Sequence, residues 1–164
     1  FRVLVSGIPY GLGSYTSWDK KLNAKLSEAI CSINAIKGVY FGAENAMNSF
    51  GSELHDEIGY NQKNYTRTSN NAGGIEGGMT NAQTIIINGI MKPLSTLVKP
   101  LKSIDIKSKE EKLAHKERSD SCAVPAAAIV AESMTCLIIA DAILDKFGGD
   151  SLSELKQHLQ SAKY

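Results

Sequence analysis

Three short stretches hold residue types that can do chemistry. From Asn70 to Gly78 the sequence reads NNAGGIEGG, four glycines and two asparagines in nine residues. Successive glycines let backbone N–H groups converge on an anion or let a flat ligand approach the main chain, and a flanking asparagine adds donors. The spacing is neither a phosphate loop ending in GK[ST] nor a GxGxxG opening a helix, and a glycine-rich hairpin or a close crossing of two backbones explains it equally well. MKPLST, Met91 to Thr96, sets Lys92, Ser95 and Thr96 around a rigid proline, where all three side chains can donate to phosphate oxygens. In isolation the same segment reads as a solvated lysine and an ordinary proline turn. RSDSC, Arg118 to Cys122, places a guanidinium, a carboxylate and two hydroxyls just ahead of an apolar helix, whose N-terminus favours anions. Taken alone, the segment reads first as a plain helix cap at Asp120.

Other candidates fall away on spacing. Glu132 and Asp141 are nine residues apart, about 180° around a helix at 3.6 residues per turn, so they read as two separately satisfied polar groups. His55, His115 and His158 show neither HxxxH nor HExxH spacing, and no metal site is expected. GIPYGLGSY, Gly7 to Tyr15, contains no nucleophile elbow, and Ser14 has no base evident nearby in the sequence.

The elements that must position these stretches follow from periodicity. FRVLVSG is β-rich, and GIPYGLGSY after it reads as a tight loop. A helix follows, capped by Ser17 or Asp19, with Leu22, Leu26, Ala29, Ile30 and Ile33 on its inner face. IKGVYFG, residues 36–42, reads as a strand and completes a β-α-β pattern. Residues 43–69 are polar, without a sustained period, and read as a long irregular loop. AQTIIINGIMK supplies another strand and residues 101–106 a further one. Pro125 opens a long apolar helix closed by Gly148 and Gly149, and Asp150 or Ser151 with Glu154 caps a short last helix.

Composition bounds the class. The 164 residues are 43% hydrophobic and 21% charged, enough for one domain with a core. Eighteen basic against seventeen acidic residues give a net charge of +1, so no global field recruits nucleic acid or an anionic membrane. Three cysteines, Cys31, Cys122 and Cys136, in apolar sequence contexts and without CxxC spacing, suit reduced thiols in a cytoplasmic protein. Residues 123–144 are apolar but interrupted by Glu132 and Asp141, which reads as a central buried helix too polar to span a membrane. The first residue, already in a strand segment and not a Met, suggests a piece cut from a longer protein.

In their joint order these stretches resemble one family. GIPYGLGSY, then WDKKLNAKL, SINAIKGVYFG, SNNAGGIEGGMTN, KPLST and RSDSCAVP are similar, nearly end to end, to the C-terminal portion of chorismate synthase. The resemblance implies an α+β fold, antiparallel strands packed on long helices, as half of that family's β-α sandwich and a single domain over residues 1–164. It implies a lyase that converts 5-enolpyruvylshikimate 3-phosphate to chorismate and phosphate by 1,4-elimination, with reduced FMN, no net redox change and NADPH as a possible reductant. It carries flavin contacts onto Asn34, Ala35, Gly77, Lys92, Pro93, Leu94, Ser95, Thr96 and Arg118, and a catalytic aspartate beside the flavin N5 onto Asp120. It also implies a cytoplasmic homotetramer with no nucleic-acid or membrane partner. The family's N-terminal half, with its two catalytic histidines and its phosphate-gripping arginines, has no counterpart in these residues, so this portion alone is expected not to turn over substrate. TNA at Thr80–Ala82 where the family has SNG, Ser119 between the arginine and the aspartate, and Ala126 after the proline depart from its pattern. Two other classes fit the same residues, a self-contained flavin or nucleotide binding module and a non-catalytic assembly domain.

Overall fold

The computed structural model describes residues 1–116 and 122–162. Its centre is a three-stranded antiparallel sheet in the order β1 (Arg2–Val5), β7 (Ile85–Met91), β2 (Ile36–Phe41). The β-α-β pattern is present but split. β1, helix α1 (Leu22–Cys31) and β2 follow one another, and β7, arriving more than forty residues later, pairs antiparallel between the two strands. Ile85 and Ile87 of β7 point inward and are fully buried, as the period-two pattern of a half-buried strand requires. They meet Leu22, Leu26 and Ile30 on the inner face of α1. Helix α3 (Val124–Phe147) packs on α1 and contributes Ala131, Ile139 and Ala142 to the same core.

Several sequence expectations change at this level. Neither Ser17 nor Asp19 caps α1. The Ser17 hydroxyl donates to Asp19 within a short 3-10 turn at Trp18–Lys20, and α1 starts one residue past Lys21. Residues 43–69 are not structureless. They hold the short helix α2 (Gly51–Leu54) and a hairpin of β3 (Ile58–Tyr60) with β4 (Tyr65–Arg67). The hairpin is closed by local chemistry invisible to hydrophobic period, since the Asn61 carboxamide oxygen accepts from the N–H groups of Lys63 and Asn64. The strand expected at 101–106 is shorter, β8 (Lys102–Ile104), and pairs with an unforeseen β9 (Glu111–Leu113). The last helix, α4 (Leu152–Ser161), is capped by Ser151, whose hydroxyl accepts from Glu154 N–H, while the Glu154 carboxylate reaches back to Asp150 N–H.

The long helix differs most. It is buried on one stripe only: Ile129 and Leu137 on the other side are 64% and 66% exposed. A helix apolar all round is one that two faces bury, and the described chain covers one of them. By length and composition α3 is also apolar enough to cross a membrane, an 18-residue stretch of it having a mean hydropathy of 1.9, because its few acidic residues do not offset so many Ala, Ile and Leu. Asp141 instead pairs with Lys25 of α1 at 3.0 Å, which ties this helix into the fold. The three cysteines, set among apolar neighbours in sequence, are all exposed and free of disulfides.

Candidate functional site

The glycine run folds as two devices, both of which ordinary packing explains. Residues 70–74 cross the chain at Gly42. A Cβ built on Gly42 would lie 1.8 Å from the Asn71 carbonyl oxygen, and one on Gly73 would lie 2.3 Å from Gly42 N. Beyond the crossing, β5 (Ile75–Glu76) and β6 (Met79–Thr80) form a hairpin whose corner is Gly77–Gly78, both at positive φ, the conformation a two-residue turn of this kind demands. Thr80 ties the hairpin to the 7–15 loop, its hydroxyl donating to the Pro9 carbonyl and accepting from Leu12 N–H.

The run does cradle an anion, but the anion belongs to the chain. The Asp56 carboxylate accepts from the N–H groups of Asn71 at 2.7 Å and Ala72 at 2.9 Å and from the Ser69 hydroxyl at 2.5 Å. Gly73 N–H goes to the Asn70 carbonyl and Gly74 N–H to the Asn70 side-chain oxygen, while the Asn70 amide donates to Thr84. The donors expected to face a phosphate from residues 70–74 are therefore used internally. Burial of Asp56 opposes its ionisation, but the Ser69 hydroxyl, the Ala72 and Asn71 N–H groups and the Arg67 charge outweigh it and hold the carboxyl below the usual range. Arg67 in turn pairs with Glu76 at 2.7 Å, and Glu76 accepts from the Asn81 amide, so β4 and the glycine hairpin are clamped together. Asp56 and Arg67 stand in a polar segment with no motif spacing, and the sequence offers no signal that singles them out.

A carboxyl whose folded pKa is lowered stabilises the fold above its ordinary unfolded value and loses that contribution as pH falls through the folded one. Asp56→Asn, which replaces two acceptor oxygens with one, is expected to cost the full-length protein about 1–3 kcal/mol at pH 7. Denaturant melts should show the gap to wild type narrowing below about pH 4. A gap independent of pH would mean that the ionised carboxylate is not what holds the loop.

Of the positions carried over from the resemblance, Asn34, Ala35 and Lys92–Thr96 come together at one end of the sheet. Lys92 N–H donates to the Ala35 carbonyl at 2.7 Å, and Ile36 pairs with Met91 beside it. Asn34, Lys92 and Ser95 are exposed there. Ala35 has φ +68°, a conformation that costs a non-glycine residue about 1–2 kcal/mol. Gly77 lies at the other end, where Gly78 accepts the first N–H of α1 from Leu22 at 2.8 Å. The length of β7 puts the two ends about 20 Å apart at 3.3 Å per residue. Arg118 and Asp120 lie outside the described residues.

Gly77 differs from its neighbours in what surrounds it. A Cβ on Gly78 would fall 2.6 Å from Lys21 Cγ, whereas one on Gly77 meets nothing within 4 Å. Gly77 opens onto a concavity of about 230 Å³ lined by Lys21, Asn23, Phe41, Ile75 and Gly78.

Comparison with known proteins bears on what this arrangement serves. The family model described as chorismate synthase matches residues 1–144. A Listeria welshimeri protein named chorismate synthase is 54% identical over 161 residues, covering 97% of this chain and 42% of the relative. One of the same name from Bacillus velezensis is 50% identical over 164 residues and is covered to the same extent, 42%. A solved structure described as "Crystal Structure of Chorismate Synthase" superposes with a TM-score of 0.77 at 38% identity, over 97% of this chain and 40% of that one. The chain thus spans about two fifths of the length of the relatives it matches.

Proposed function

The chain belongs to the chorismate synthase family, and from that premise we propose that it is the C-terminal part of a lyase converting 5-enolpyruvylshikimate 3-phosphate to chorismate and phosphate, with reduced FMN held between the Gly77 turn and the Lys92–Thr96 segment. In the 1,4-elimination a C–H bond and the C–O bond to phosphate break and a second ring double bond forms, with no net oxidation. The complete enzyme is a cytoplasmic homotetramer, and NADPH is its candidate reductant.

The observation that carries the cofactor assignment is the division of the site into two unlike ends. At one end the Gly77 backbone is bare, open and beside apolar Phe41 and Ile75, which suits a flat ring. At the other, Lys92, Ser95 and Thr96 offer an ammonium and two hydroxyls at an exposed loop, which suits a phosphate. An elongated cofactor with a ring at one end and a phosphate at the other fits that spacing. Because the N–H groups of residues 71–74 are already bonded within the chain, the phosphate is assigned to Lys92–Thr96. Reduced FMN, when bound, supplies electron density that helps the substrate phosphate leave. The chain supplies the rest. Asn34 and Ala35 flank the phosphate end, Arg118 adds a second cation, and the Asp120 carboxylate assists removal of the substrate proton.

The test separates the two ends. In the full-length protein Lys92→Ala is expected to weaken FMN binding by about 10- to 100-fold, the worth of a hydrogen bond to a charged group, and to leave riboflavin binding unchanged. Flavin fluorescence quenching measures both. Equal losses for the two ligands would remove Lys92 from the phosphate end.

A further inference from the structure

The Gly77–Gly78 corner is held from two sides by different means. On the β6 side the hold is main chain to main chain: Gly11 N–H donates to the Thr80 carbonyl at 2.8 Å, Thr80 N–H to the Leu12 carbonyl at 3.0 Å and Leu22 N–H to the Gly78 carbonyl at 2.8 Å. None of these bonds involves a side chain. On the β5 side Ile75 anchors the start of the strand in the core. At Glu76, the residue before the corner, the hold is a carboxylate. It accepts from the Arg67 guanidinium through both oxygens, at 2.7 Å and 3.4 Å, and from the Asn81 amide at 2.8 Å. Asn81 is buried and fixed in turn by its own N–H, which donates to the Gly74 carbonyl at 3.0 Å. The Arg67 side chain is 17% exposed, less than any other partner in the ion pairs of the described residues. An exposed ion pair contributes little, whereas a two-pronged guanidinium–carboxylate contact partly withdrawn from water fixes an orientation as well as a distance. The same guanidinium acts on Asp56, which organises residues 69–72, so one side chain serves both the crossing and the corner.

We propose that Arg67 is a positioning residue for the cofactor ring: through the Glu76 carboxylate it sets the angle of the Gly77 turn, and it does so without touching the ligand. The assignment rests on the flavin reading above, in which the ring lies at Gly77 and the phosphate at Lys92–Thr96. Because the clamp acts at the ring end, opening it weakens FMN and riboflavin alike, which sets it apart from the loss expected at Lys92. A role confined to stability would lower the melting temperature and leave the affinity of the folded protein for both ligands unchanged.

The experiment measures FMN and riboflavin binding by fluorescence quenching in the full-length protein, well below its melting temperature. Arg67→Gln and Glu76→Ala should each weaken both ligands by about tenfold. The double variant should lose no more than either alone, since both changes open one contact. Arg67→Lys, which keeps the charge without the fork, should lose only about threefold. If Arg67→Gln fails to fold, Glu76→Ala, at a half-exposed side chain, still gives the reading. Unchanged affinity for both ligands in Glu76→Ala, a loss confined to FMN, or additive losses in the double variant would overturn the assignment while the flavin reading stands. Failure of wild type to bind either flavin would overturn both.

Discussion

Gly77→Leu is expected to weaken FMN binding by the full-length protein about 100-fold, close to 3 kcal/mol, while costing the fold only about 1–2 kcal/mol for a side chain at positive φ. The two numbers part because of what surrounds the residue. Within the chain a Cβ at Gly77 meets nothing within 4 Å, so the substitution creates no internal clash, and the new side chain projects into the space assigned to the flavin ring. Gly77→Asn isolates the second effect, since asparagine tolerates the left-handed conformation with less strain. It should melt near wild type and still bind FMN less tightly. Wild-type affinity in both variants, measured by quenching and checked against thermal melts, would show that the turn is bare for its own backbone alone.

Gly42→Ala is expected to have the opposite profile, with loss of the fold at a position that touches no ligand. Its Cβ would sit 1.8 Å from the Asn71 carbonyl oxygen and 2.7 Å from Gly73 N, on backbone atoms that cannot rotate away, at φ +74°. The Asn71 end of the crossing is itself anchored by Asp56, and Ala43 N–H bonds to the Asn71 carbonyl at 2.9 Å, so relief requires the crossing to open. A cost above about 4 kcal/mol is expected, a large share of the 5–15 kcal/mol that holds a typical domain together. Circular dichroism and denaturant melts of the variant check it. A stable, cooperatively folding Gly42→Ala would contradict the crossing.

These two glycines show how far the sequence could be read. The elements with a clear period, α1, β2, β7 and α3, stood where Leu22, Leu26 and Ile30, or Ile85 and Ile87, alternate as packing requires. The order of the motifs, from GIPYGLGSY to RSDSC, was enough to point to the family. The purpose of each glycine was not legible, because NNAGGIEGG looks the same whether a backbone, a side chain or a ligand needs the room. Only the neighbours of Gly42, Gly73 and Gly78, and the lack of them at Gly77, separate the cases. Asp56 was hidden for a related reason. Two of its three hydrogen-bond donors are main-chain N–H groups fifteen and sixteen residues away, and backbone donors leave no trace in residue type. What covers the exposed side of α3 was not legible, because a helix apolar on every face shows how much it can bury but not what covers it.

A crystal structure of the full-length protein with FMN bound tests the central claim most directly. The isoalloxazine ring is expected to lie over the Gly77–Gly78 turn, and the phosphate to be held by Lys92, Ser95 and Thr96. A flavin seated away from both segments would contradict it.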